Sequence, residues 1–127
     1  MIDIAIKLMR YAVDSALLAH DTVRVIVEPG NHDPTSALCL MHAIKIAYEK
    51  EERVWVDMSP SHFHYHRWGD VLIGTHHGDK VKMKDLPLVM AADRPEEWGQ
   101  TKWRYWWTGH VHHSEKVAPP PRYDGVG

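Results

Sequence analysis

The sequence predicts an α/β fold on three observations. Short β-branched or aromatic runs, at Val23 to Val27, Arg53 to Asp57, Val71 to Thr75 and Lys102 to Thr108, alternate with longer stretches whose apolar residues recur at helical spacing. Turn-forming pairs such as Pro29-Gly30, Gly69-Asp70 and Gly78-Asp79 punctuate the runs. Three of the strands stop at polar residues able to bind metals or move protons: Asn31-His32-Asp33, His76-His77 and His110-Val111-His112-His113. Open α/β sheets gather their sites at strand carboxyl ends, because side chains from several loops converge there.

Taken in order, residues 2 to 20 carry Ile2, Ala5, Leu8, Met9, Ala12, Val13, Ala16 and Leu17 at the spacing of one helical face. Asp21-Thr22 break this helix, and Val23 to Val27 read as a buried, central parallel strand. Gly30 lets the chain turn sharply at its end. Pro34 to Lys50 form a second helix, with Pro34 suited to its first turn and Ala37, Leu40, Met41, Ile44 and Ala47 inward. The partial positive charge of its amino end, beside Asn31-His32-Asp33, favours an anion there. Arg53 to Asp57 is a second strand, and His62 to Trp68 pairs with Val71 to Thr75 as a hairpin around Gly69-Asp70. Met83, Leu86, Val89 and Met90 suggest a helix against which Pro87 counts. Arg94 to Gly99 reads as a loop or single turn, and Lys102 to Thr108 as the last strand. Residues 1 to 116 form one domain, and the Pro/Gly-rich tail 117 to 127 is expected to stay unpacked.

Composition narrows the function classes. With 127 residues, 44% hydrophobic and 25% charged, the chain has the make-up of a globular domain, and global disorder is not expected. A formal charge of −2 argues against a basic nucleic-acid surface over the whole domain, although bound cations would reverse the sign locally. Cys39 is alone, so no disulfide forms within the chain, and a cytoplasmic setting is expected. No apolar run reaches the roughly 18 residues of a membrane span, and no signal peptide is visible. Eleven histidines are the outlier, and they invite a metal reading.

Each cluster has an ordinary reading beside a chemical one. Asn-His-Asp alone is common turn chemistry. His76 and His77 point to opposite faces of a continuing strand, so only one binds a metal. In Gly109-His110-Val111-His112 the spacing of two sets both imidazoles on one side of an extended segment, as two neighbouring ions require; this is the most specific signal. His62, His64 and His66 also alternate, and a solvated hairpin face is expected there rather than a further metal site. Trp103, Tyr105, Trp106 and Trp107 could stack nucleic-acid bases, but alternating strand aromatics are more often core.

Gly30-Asn31-His32-Asp33, Thr75-His76 and Gly109-His110-Val111-His112 occur in the order and with the spacings of three motifs of one family. Together they resemble the calcineurin-like metallophosphoesterases, and within them the phage and bacterial proteins described as DNA-repair exonucleases. The resemblance spans residues 1 to 113. It implies a partial metallophosphoesterase fold, a helix-flanked β-sandwich of which this chain carries the second half. It implies hydrolysis of a phosphoester, with nucleic acid among the candidate substrates, by a metal-bound hydroxide. Divalent cations are implied as cofactors, manganese first and iron, zinc or nickel as alternatives. In family terms Asn31, His76 and His110 hold one metal and His112 the other, while His32 protonates the leaving oxygen and Asp33 orients its imidazole. The Asp-x-His and Gly-Asp-x-x-Asp motifs of the family are missing ahead of Asn31. The expected partner is therefore a complementing amino-terminal half or a homo-oligomer, with no membrane involved. The alternatives are a catalytically incomplete domain that binds a metal or a partner, and a decayed gene product with an exposed sheet edge.

Overall fold

The computed structural model describes residues 1–110. Two small sheets are each built around a parallel crossover. The first pairs β1 (Val23–Val25) with β2 (Val54–Val56), in the register Val23↔Val54 to Val25↔Val56. Helix α1 (Ile2–Leu17) precedes β1, and α2 (Pro34–Ala47) makes the crossover. Parallel neighbours need such a connection, since a tight turn cannot bring the chain back in the same direction. Val13 of α1, Val25, Met41 and Ile44 of α2, and Val56 form the first core, with Ile6, Met9, Leu17 and Leu40 packed around it. The strand Val23–Val25 is shorter than expected and, in a sheet of two, lies at an edge rather than at the centre.

Arg53 closes the end of α1. Its guanidinium donates to the carbonyls of Leu17, His20 and Asp21 at 2.7, 2.7 and 2.9 Å, satisfying oxygens that the last helical turn leaves open. Tyr48 donates to Asp14 Oδ1 at 2.6 Å and joins the carboxyl end of α2 to α1.

The second sheet runs β3-β4-β5, with β3 (His64–Trp68) and β4 (Val71–His76) antiparallel and β5 (Trp103–Thr108) parallel to β4. The hairpin at Gly69-Asp70 is the predicted one, and Gly69 takes the left-handed φ of 54° that a two-residue loop demands. A single 3₁₀ turn (Met83–Asp85), α3 (Leu86–Asp93) and the short α4 (Pro95–Gln100) carry the chain from β4 to β5. Pro87 falls in the first turn of α3, where its missing N–H has no helical partner to lose, so it starts the helix rather than breaking it. Tyr65, Leu72 and Met90 form the second core beneath Phe63, Trp98 and Trp106.

Gly74 makes that core possible. It lies between Tyr65 and Trp106 in the sheet, and a Cβ on it would stand 2.7 Å from the Trp106 ring. The empty position lets Tyr65 and Trp106 meet edge to face over it, centroids 5.6 Å apart. Burial of Trp106 matches the core reading of the β5 aromatics. Trp103, Tyr105 and Trp107, on the opposite parity, are 60%, 51% and 66% exposed and depart from it.

Polar bonds tie the sheets together. Arg24 of β1 donates to Asp57 Oδ2 and to the Tyr65 carbonyl, both at 2.6 Å, and lies over the Trp55 ring. Burial pushes the Asp57 carboxyl up, but the Ser59 N–H and the Arg24 guanidinium outweigh it and hold it below the usual carboxylate value. A mixed α/β class is what the strand and helix pattern predicts. No helix among the described residues is long and apolar enough to cross a membrane.

Candidate metal centre

Three loops meet at the carboxyl ends of β1, β4 and β5. They bring Asn31, His77 and His110 together. The register pairing His76 with Thr108 ends β4 and β5 side by side, so the residues that follow leave on the same side. Asn31 Oδ1 lies 3.0 Å from His77 Nε2, and the His77 and His110 ring centroids are 5.2 Å apart.

Glycines surround His77. Cβ positions built on Gly30 and Gly109 would lie 3.6 and 3.5 Å from its ring, ordinary contact distances, so both backbones already rest against the imidazole. Gly78, at φ 105°, is crowded from the β5 side: a Cβ there would come 3.0 Å from the Gly109 carbonyl oxygen. His110 adopts φ 62°, a left-handed conformation that His tolerates better than most side chains but that still costs about 1 kcal/mol.

His76, which the motif resemblance makes a ligand, lies on the core side of β4, and its Nε2 is buried with no hydrogen-bond partner among the described residues. Along β4 the residues Leu72, Gly74 and His76 face the core, and His76 is 1% exposed. Its ring is 4.5 Å from that of Phe63, and its Nδ1 is bonded to the His62 carbonyl at 2.9 Å. The next residue, His77, faces Asn31 instead. The expectation that the pair divides between two faces holds.

Asp33 stands at the start of α2. Its carboxylate caps α2, accepting from the Ser36 N–H at 3.1 Å, and those bonds with Ser36 hold its pKa below the ordinary value. Among the described residues it makes no hydrogen bond to His32. His32 is exposed beside Asn31, at the mouth of the cluster. The row His62, His64 and His66 departs from its expected solvated face at one position. His62 and His66 are solvated as expected, whereas His64 is buried and bonded through Nδ1 to Glu28 at 2.8 Å. His112 lies outside the described residues, as do His113 and the tail.

The 3.0 Å separation of Asn31 Oδ1 and His77 Nε2 is a hydrogen bond, with the imidazole donating. Among the described residues, however, no three of His, Cys, Asp or Glu gather into a metal-binding group. Among the described residues the cluster holds two imidazoles and an amide and no carboxylate. Asp79, two residues after His77, is engaged by Lys80 at 2.8 Å, and that hydrogen bond holds its pKa low. No protein-family model matches the sequence, and no curated protein or solved structure matches it either.

Proposed function

We propose that this chain is a metal-dependent phosphoester hydrolase of the phosphodiesterase or nuclease kind, related to the calcineurin-like metallophosphoesterases and folded as part of their sandwich. The observation that carries the reading is the meeting of Asn31, His77 and His110 on three separate loops, one from the first sheet and two from the second, around a floor of glycines.

Asn31 would offer its amide oxygen, and His77 and His110 an imidazole nitrogen each, to a divalent cation, manganese in the first instance. The bound cation would supply positive charge opposite a phosphoryl oxygen. The rest falls to the chain's own groups. Gly30 and Gly109 let the loop backbones pack against the His77 imidazole and so help fix its ring. His32, exposed next to Asn31, would give a proton from its imidazole to the departing oxygen. Asp33 contributes by holding the start of α2, and with it the preceding turn.

A second reading is favoured by the missing carboxylate: a domain that holds a cation or a partner without turnover. Rates of bis(p-nitrophenyl) phosphate hydrolysis with manganese, measured across protein concentration, separate the two. If another chain supplies the carboxylates, the rate per chain rises with concentration, and His32→Ala abolishes it. Manganese-dependent turnover absent at every concentration would leave the binding reading.

A further inference from the structure

We infer that Glu28 is a positioning residue for the cluster: its carboxylate clamps the loop after β1 onto the β3-β4 hairpin and thereby holds Asn31 against His77. The inference rests on reading Asn31 and His77 as one site.

Glu28 stands three residues ahead of Asn31, and its Oε1 accepts two hydrogen bonds, from His64 Nδ1 at 2.8 Å and from the Thr75 hydroxyl. Those donors are directly opposed in the hairpin, where His64 pairs with Thr75. One carboxylate oxygen therefore fastens a cross-strand pair to the loop. Thr75 precedes His77 by two residues. Glu28, Pro29, Gly30 and Asn31 thus close a ring with His77, His76 and Thr75, sealed at one end by the carboxylate and at the other by the Asn31–His77 bond. Pro29 fixes its own φ within this ring, and Gly30 rests on the His77 imidazole.

The two closures are unequal. The Asn31–His77 bond is exposed, and a lone exposed hydrogen bond holds a side chain weakly. The Glu28 bonds are sheltered, with His64 almost fully buried. Glu28 bonding also raises the His64 pKa, which strengthens the clamp with charge. Glu28 Oε2 is buried with no partner among the described residues. Burying a half-satisfied carboxylate is a poor way to gain stability, since an apolar side chain of similar size often does as well. What the carboxylate does provide is a fixed distance between loop and hairpin.

The test uses imidazole ¹⁵N–¹H correlation spectra of the full chain without metal. Asn31 Oδ1 can only accept, so His77 is expected as the Nε2–H tautomer in the wild type. Glu28→Ala should return His77 to the tautomer mixture of a free imidazole and weaken manganese binding at least tenfold, while the sheet amide shifts persist. Glu28→Gln keeps a carbonyl acceptor and should stay near the wild type. If Glu28→Ala fails to fold, Thr75→Val removes one donor at nearly constant shape, and a smaller His77 change in the same direction is expected. His77 signals unchanged in whichever of these variants folds would overturn the inference, because a purely stabilising role would lower Tm without touching the tautomer. A wild type that binds no manganese would instead defeat the metal reading and leave the tautomer comparison decisive for Glu28.

Discussion

His77 donates from Nε2 to Asn31 Oδ1 across 3.0 Å, joining the loop that follows β1 to the loop that follows β4. Its chain neighbour His76 points the other way, into the second sheet's core. The two adjacent histidines should therefore respond oppositely to truncation. His76→Ala opens a cavity against Phe63 and strands the His62 carbonyl, and should cost about 2–3 kcal/mol in urea unfolding. His77→Ala, at a partly exposed position, should cost under about 1 kcal/mol. Equal losses would mean that the assignment of faces is wrong.

Gly74 should tolerate no side chain. A methyl group there meets the Trp106 ring at 2.7 Å, and that ring is wedged between Tyr65 and Phe63. Gly74→Ala should destabilise by about 1–3 kcal/mol, the usual range for overpacking, with a change in near-ultraviolet circular dichroism from the displaced indole.

Asp33 should behave as a helix cap. Asp33→Ala should lower Tm and Asp33→Ser, which can also accept from the Ser36 N–H, should restore most of it. Because its folded pKa lies below the unfolded value, its contribution is present above the unfolded pKa and fades as pH falls through the folded one. A Tm gap between wild type and Asp33→Ala that failed to narrow in acid would contradict the cap.

The Glu28–His64 pair sets the opposite dependence. Its hydrogen bond raises the His64 pKa above the ordinary 6.5, so the unfolded chain releases the proton at lower pH than the folded chain does. The stability it contributes is complete below 6.5 and is lost as pH rises through the raised folded value. Thermal unfolding followed between pH 6 and 9 should show Tm falling with pH in the wild type, and less so in His64→Gln.

Much of this arrangement is legible in the residues. The hairpin follows from Gly69-Asp70 between two strand-like runs, and the α2 start from Asp33-Pro34 ahead of an apolar helical face. Choosing between His76 and His77 requires the parity of β4, and Val71-Leu72-Ile73 is apolar on both parities, so no alternation marks the inward face. The mark lies elsewhere, in Gly74, whose missing side chain admits Trp106 and whose parity is that of His76. Glu28 was illegible for a different reason. A carboxylate before Pro-Gly looks like a solvated turn residue until the hairpin pairs His64 with Thr75 beside it. The same holds for Trp103, Tyr105 and Trp107, whose core-like composition gives no sign that this sheet face is left open.

The most direct test of the central claim is the manganese content of the gel-filtered full chain, by elemental analysis alongside the eluted mass. The cluster of Asn31, His77 and His110 predicts one ion per chain, lost in His77→Ala and His110→Ala and retained in His32→Ala. No manganese in the wild type, or the same content in His77→Ala, would contradict it.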